Sequence, residues 1–177
     1  MSSAHASLAT ETRNDGALLR RPCAEDGPGV HALIARCPPL ERNSLYCNLL
    51  QCTHFAETCV IALDGGRPVG FVSAYLMPSH PDSLFVWQVA VAPEARNRGL
   101  GSRMLLDILS RPACSRVRYV KTTITPTNEA SWSLFKALAR RLEASLERQV
   151  LFERERHLAG TADSEILVTI GPVRGRA

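Results

Sequence analysis

Aromatic residues make up only 6% of the chain, and the formal charge is a small +4 with a pI near 8.9. A nucleic-acid surface needs a basic stripe with aromatics interleaved. Arg140, Arg141, Arg148, Arg154 and Arg156 lie in two clusters late in the chain, and aromatics are too few to form such a stripe with them. Nucleic acid is therefore not an expected partner, and the basic surplus reads as a solvated helix face and a rim attractive to an anionic ligand. No apolar run approaches the roughly 20 residues that span a bilayer, and the first residues are polar and small. Neither a membrane partner nor a secretory signal is expected. Six cysteines are present (Cys23, Cys37, Cys47, Cys52, Cys59 and Cys114), but none forms a C-x-x-C pair and no histidine completes a zinc set, so no metal is expected. A cytoplasmic, reduced protein follows, with the cysteines as small buried apolar residues. A thiol nucleophile at Cys52, beside His54, is the sharper alternative.

What the chain does have is enough apolar material for one core: 177 residues, 45% hydrophobic and 21% charged. Its organising stretch is residues 84–101, LFVWQVAVAPEARNRGLG. Residues 84–92 are almost wholly apolar, with Gln88 as the only amide, and read as a strand covered on both faces. Pro93 ends it, because proline has no ladder donor. Gly99 and Gly101 then precede the helical pattern Met104, Leu105, Ile108, Leu109. Glycines let the backbone approach a ligand closely, and the free N–H groups of a first helical turn suit an anion such as a phosphate. No Gly-Lys-Ser/Thr follows, and the glycine spacing is not that of a dinucleotide fingerprint. An ordinary strand–helix turn also fits these residues.

Residues 1–16, rich in Ser, Ala and Thr, are expected to be disordered; residues 17–172 form the domain, and residues 173–177 a tail. Residues 17–21 predict a first strand. A helix follows with the stripe Val30, Leu33, Ile34, Cys37, broken by Pro38-Pro39. A second helix carries Leu45, Leu49, Leu50 and Cys52, with Ser44 or Asn43 as N-cap. Residues 58–63 and 68–77 read as a hairpin about Asp64-Gly65-Gly66, and residues 78–83 as a loop into the central strand. A strand over residues 117–124 precedes a helix opened by Asn128 and striped by Ala130, Leu134, Phe135 and Leu138. Residues 146–152 and 165–170 read as closing strands joined by a polar loop. The order β-α-α-β-β-β-α-β-α-β-β predicts an α/β fold, a mixed sheet with helices on both faces.

The string V-A-V-A-P-E-A-R-N-R-G-L-G resembles the acetyl-CoA-binding motif of the GNAT acetyltransferases, Arg/Gln-x-x-Gly-x-Gly/Ala after such a strand. The resemblance implies the acyl-CoA N-acyltransferase fold with a six- to seven-stranded sheet. It implies loop amides on the pyrophosphate of coenzyme A, and a strand splayed from its neighbour to pair with the pantetheine arm. Val89, Val91, Arg96, Asn97, Arg98, Gly99, Gly101, Ser102 and Asn128 are then the cofactor-binding residues, with acetyl-CoA as co-substrate. Asn97 stands where a glycine is common, and asparagine tolerates left-handed backbone. Many members carry a tyrosine seven residues after the asparagine to protonate the leaving thiolate. Here that position is Phe135, which has no proton to give.

Longer strings, NSLYCNLLQCTHFAETCVIA, VGFVSAYLMPSHPDSLFVWQVAV, TTITPTNEASWSLF and HLAGTADSEILVTIGP, resemble the L-2,4-diaminobutyrate acetyltransferases of ectoine biosynthesis. This implies acetyl transfer to the γ-amine of L-2,4-diaminobutyrate, and a cytoplasmic homodimer working in osmotic stress. An amine with a pKa near that of lysine is mostly protonated at neutral pH, so the site must bind a dication and remove a proton. Glu41 and Glu165 are the catalytic candidates. Glu41 stands where the family usually has aspartate, and Ala162 where it commonly has histidine, with His157 as a partial substitute. Trp87 walls the substrate and faces an ammonium, and the Val89 N–H polarises the thioester carbonyl. Asn43, Tyr46, Asn48, Asp82 and His157 complete the substrate candidates, with Asp163 a further acid weighed. Two other readings remain: a GNAT enzyme for another amine, such as a polyamine, an aminoglycoside or a protein N-terminus, and a non-enzymatic acyl-CoA-binding module.

Overall fold

The structure, a computed structural model, describes residues 16–173. The segment expected to be disordered lies, Gly16 apart, outside the described residues. The strands are β1 (Leu18–Arg20), β2 (Val60–Asp64), β3 (Arg67–Met77), β4 (His80–Val91), β5 (Tyr119–Ile124), β6 (Ser145–Phe152) and β7 (Glu165–Gly171). They form one seven-stranded sheet in the order β1-β2-β3-β4-β5-β7-β6. Every neighbouring pair is antiparallel except β4 and β5. Helices α1 (Gly27–Ala35) and α2 (Leu45–Thr53) pack on one face, and α3 (Leu100–Leu109) and α4 (Glu129–Arg141) on the other. The core runs through both layers, from Val30, Leu33 and Ile34 of α1 across Ile61, Phe71 and Ala90 to Met104, Ile108 and Leu138.

Three expectations need correcting. The expected loop over residues 78–83 shrinks to a turn at Pro78 and Ser79, and β4 begins at His80. The pairing there is irregular, jumping from Leu76↔Leu84 to Met77↔His80, which is why no alternation marks it in the sequence. The polar loop between β6 and β7 contains a single helical turn, α5 (Arg154–His157). At the C-terminal end of the described residues, the Val173 N–H donates to the Arg118 carbonyl at 2.7 Å.

The third correction concerns α2. Ser44 caps it, its hydroxyl accepting from the Cys47 N–H at 3.1 Å. Of the expected apolar stripe, however, only Cys52 is fully buried. Asn48, Gln51 and Cys52 face the core, while Leu45 is 41% and Tyr46 69% exposed. A buried amide costs little once it is hydrogen-bonded. His31 of α1 meets the Asn48 Oδ1 at 3.0 Å, and the Asn48 Nδ2 donates to the Gln51 Oε1 at 3.0 Å. That partner comes from another helix, so local periodicity does not reveal it.

Candidate active site

The site starts where β4 and β5 part. Their parallel pairing covers Ser83↔Tyr119, Leu84↔Val120 and Phe85↔Lys121 and then stops, although β4 runs on to Val91 and β5 to Ile124. Among the described residues, residues 86–91 therefore have no strand partner on that side. Just past the parting, β4 carries a bulge: Ser73 pairs with Gln88 and Ala74 with Val86, leaving Trp87 as an extra residue. A bulge bends its strand and breaks the ladder locally. The expectation of a strand covered on both faces fails here, since Trp87 is 48% exposed.

Main-chain direction alternates along a strand. The Ala92 N–H donates to the Val69 carbonyl at 2.9 Å, so Ala92 and Ala90 face β3. Val89 and Val91 therefore turn their N–H and C=O groups to the open edge. The Val91 carbonyl there accepts from the Cys37 Sγ at 3.3 Å and from the Arg96 Nε at 3.1 Å.

This edge leads to the mouth of α3. Gly99 is its N-cap with φ +70°, and Asn97 also sits in the left-handed region at φ 60°. Two left-handed residues turn the chain sharply enough for the helix to start against the strand end. The first helical carbonyl bond is Arg103 N–H to Gly99 O at 3.0 Å. The N–H groups of Leu100, Gly101 and Ser102 thus have no acceptor among the described residues, as helix geometry requires. A Cβ on Gly99 would meet nothing within 4 Å, which keeps the mouth open. Gly101 serves helix packing instead. A Cβ there would lie 3.3 Å from Leu134, so its absence lets α3 and α4 approach.

A cleft of about 340 Å³ joins these parts. Val89, Val91, Arg96, Asn97, Gly99, Gly101, Ser102 and Asn128 all line it, as does Leu134. Of the cofactor candidates only Arg98 does not; it is exposed on the loop. Free amides, a helix N-terminus and basic side chains make the mouth a cradle for an anion with two or more phosphates. The Arg36 guanidinium grips Glu94 at 2.8 and 2.9 Å, tying the turn Pro93–Ala95 to the end of α1 and holding the Glu94 carboxyl below the usual range. The Asn128 Oδ1 accepts from the Ser131 N–H at 3.1 Å, capping α4. Asn128→Ala should cost about 1 kcal/mol, read as a fall in melting temperature of about 2–4 °C. An unchanged melting temperature would show that the cap carries no weight. Phe135 is buried in the core and contributes packing only.

The amine-side candidates divide. Gln88 and Val89 point to opposite faces, and the Gln88 amide reaches residues 41–43 on the α1–α2 side. Its Nε2 donates to the Glu41 carbonyl at 2.9 Å and its Oε1 accepts from the Asn43 Nδ2 at 3.2 Å. Glu165 opens β7, which runs antiparallel to β5, so it lies at the parted end of the sheet. Ile166 faces α4 beside Trp132, so the alternation puts Glu165 on the face of Gln88. The Glu41 main chain and the Asn43 amide thus meet β4 on the face and toward the end where Glu165 lies, with Trp87 exposed at the adjoining bulge. Neither carboxylate joins an ion pair among the described residues.

Three candidates do not join them. Asn48 is fully buried and committed to His31 and Gln51. Asp82 lies at the other end of β4, roughly 20 Å from Val89 at about 3.3 Å per residue; its carboxylate accepts from the Ser83 hydroxyl at 3.3 Å. The His157 Nδ1 accepts from the Glu153 N–H at 2.9 Å, closing the turn of α5, and its ring meets Phe152 edge-on. Asp163 pairs with Arg154 at 3.3 Å. Tyr46 stands exposed on α2 with its hydroxyl free of hydrogen bonds among the described residues. The thiol alternative also fails. Burial pushes Cys52 and Cys59 up to about 12, far from the thiolate that nucleophilic attack needs. Gln88 had no assigned role in the sequence, although a lone amide in an apolar central strand was its visible signal.

Among the described residues no group of three or more His, Cys, Asp or Glu is placed to hold a metal ion. Residues 28–139 match the acetyltransferase (GNAT) family. The chain is 51% identical over 156 residues to an L-2,4-diaminobutyric acid acetyltransferase of Methylotuvimicrobium alcaliphilum, covering 88% of this chain and 91% of that one. It is 49% identical over 155 residues to the protein of the same name from Bordetella parapertussis, covering 87% and 83%. Among solved structures it is similar to the diaminobutyrate acetyltransferase EctA of Paenibacillus lautus in complex with its substrate L-2,4-diaminobutyric acid and coenzyme A. That match has a TM-score of 0.86 at 39% identity, over 91% of this chain and 98% of the other.

Proposed function

The chain belongs to the GNAT acetyltransferases, and within them to the L-2,4-diaminobutyric acid acetyltransferases; from that premise we propose that it transfers acetyl from acetyl-CoA to the γ-amino group of L-2,4-diaminobutyrate, a step of ectoine biosynthesis. The observation that carries this reading is the parting of β4 and β5, which leads directly into the free amides at the mouth of α3. A thiol ester linked to a diphosphate fits such a run of donors, with the diphosphate at the helix and the arm along the strand edge. The amine comes from the opposite face, where Glu41, Asn43, Trp87 and Glu165 gather.

Bound acetyl-CoA supplies the acyl thioester; the chain supplies the rest. The amides of Leu100, Gly101 and Ser102, with Arg96 and Asn97, hold the diphosphate. The open edge at Val89 and Val91 pairs with the pantetheine arm, and Asn128 keeps its Nδ2 for the same arm. Glu41 or Glu165 takes the proton from the γ-ammonium, directly or through water, and the other carboxylate balances the α-ammonium. Trp87 faces the cation with its ring. The Val89 N–H, on the open edge beside the bulge, receives the charge that grows on the carbonyl oxygen as the amine attacks. The C–N bond forms, the C–S bond breaks, and the second proton shed by the nitrogen passes to water. With Phe135 buried where a tyrosine would donate, the thiolate leaves as such or takes its proton from water.

The protein works as a cytoplasmic homodimer whose catalytic domain is residues 17–172. A substrate panel tests the assignment: diaminobutyrate against ornithine, lysine, spermidine and peptides, each with saturating acetyl-CoA. Diaminobutyrate should give the highest kcat/KM by about tenfold or more, the worth of one or two methylenes of misplacement. A higher value for a polyamine or a peptide would overturn it, and acetyl-CoA binding without turnover of any amine would make the chain a binding module.

A further inference from the structure

The amide of Gln88 occupies a place that the acetyl transfer leaves unused. It follows the bulged Trp87, at the parting of β4 and β5, and spans from the sheet to residues 41–43. Both of its atoms are engaged: Nε2 with the Glu41 carbonyl at 2.9 Å and Oε1 with the Asn43 Nδ2 at 3.2 Å.

These two bonds have a direction that cannot be reversed. A main-chain carbonyl only accepts, so the nitrogen of the Gln88 amide must face Glu41. The Gln88 oxygen then faces Asn43, which must answer with its own nitrogen. Turning either amide over sets oxygen against oxygen or nitrogen against nitrogen and forfeits a bond at each step. The main chain thus dictates which way Asn43 points. Its remaining atom, Oδ1, is an acceptor with no partner among the described residues. It sits beside the Glu41 main chain, on the face and toward the end of the sheet where Glu165 opens β7, next to the bulge at Trp87. A carbonyl oxygen held there suits an ammonium group, which has three donors and no acceptor.

We propose that Gln88 is a positioning residue for the amine: it relays the polarity of the Glu41 carbonyl to Asn43, so that the Asn43 Oδ1 is presented to an ammonium group of the substrate. This deepens the reading of the site as one for a small diamine and rests on it. The relay leaves the cofactor cleft untouched, because Gln88 and Val89 lie on opposite faces of β4. It also gives discrimination. A substrate that offers an acceptor in place of the ammonium would meet the Asn43 oxygen with another oxygen.

The test is steady-state kinetics on Gln88→Met, which keeps the volume of the side chain and removes both polar atoms. Diaminobutyrate and acetyl-CoA are varied separately. With Asn43 free to turn over, the KM for diaminobutyrate should rise about tenfold or more, the scale of one hydrogen bond to a charged group. The KM for acetyl-CoA should stay within about twofold. Aspartate has an acceptor whichever way it turns, so the double variant Gln88→Met/Asn43→Asp should recover most of the lost affinity for the amine. A loss through general loosening of the loop would not be rescued in this way. Equal rises in both KM values, no rise in either, or no recovery in the double variant would each overturn the proposal. If Gln88→Met fails to fold, Gln88→Leu with the same second change carries the same comparison. Should the unaltered enzyme acetylate a different diamine, the substrate assignment falls, and the same split in KM read on that amine still decides the role of Gln88.

Discussion

Gly99→Glu should leave a folded protein that no longer holds coenzyme A, with affinity down by at least about 100-fold. Two effects at one position lead to this. Gly99 caps α3 at φ +70°, where a side chain costs roughly 1–2 kcal/mol of backbone strain. That is small beside the ~5–15 kcal/mol of stability usual for a domain, and a Cβ there meets nothing within 4 Å, so no packing is broken. The carboxylate, by contrast, stands at the mouth built to receive a diphosphate. Two unit charges about 4 Å apart repel by about 4 kcal/mol at an effective dielectric constant of 20, which is roughly a thousandfold in affinity before screening by salt. Gly99→Ala carries the strain without the charge and should lose far less. Calorimetric titration of coenzyme A into both variants, alongside their melting temperatures, separates the two effects. Gly99→Glu binding as tightly as Gly99→Ala would remove the diphosphate from this helix.

Replacing the Val89 amide by an ester should lower kcat by about 100- to 1,000-fold, the usual cost of one donor to a developing oxyanion. The exchange removes a single N–H and leaves the side chain in place. Because Val89 faces away from β3, the ladder survives, and the KM for acetyl-CoA should change little. The same exchange at Ala90 is the control. Ala90 pairs with Phe71 and faces β3, so its ester removes a ladder donor and leaves the Val89 N–H in place on the open edge. It should lower the melting temperature more than Val89 does, and kcat far less. Similar kcat losses at the two positions would mean that the Val89 N–H has no special part in the reaction.

The strand, the turn at Pro93, the left-handed glycine and the helix after it are legible because each has a local cause. Proline ends a ladder, Gly99 takes φ +70°, and the 3.6-residue stripe of α3 buries Met104, Leu105 and Ile108. The cofactor side of the site is made of these local features, and the structure brings nearly all of its candidates to one cleft. The amine side depends on topology. Glu41 and Glu165 are far apart in sequence, and Glu165 comes to the parted end of the sheet only because β7 returns antiparallel beside β5. Asp82 looks close to Trp87 in sequence, yet it lies at the far end of the same strand. Asn48 looks like a polar helix face and is instead buried, because His31 supplies its partner from α1. The bulge at Trp87 leaves no compositional trace: one extra residue in an apolar run alters nothing that periodicity can register. It nevertheless turns Trp87 outward and sets Gln88 against residues 41–43.

The most direct measurement is a crystal structure of the protein with coenzyme A and diaminobutyrate together. The diphosphate oxygens should lie about 3 Å from the amides of Leu100, Gly101 and Ser102, with the pantetheine arm along Val89 and Val91. The diamine should sit across β4, among Glu41, Asn43, Trp87 and Glu165. Nucleotide bound at another place, with the α3 mouth left to solvent, would contradict the account.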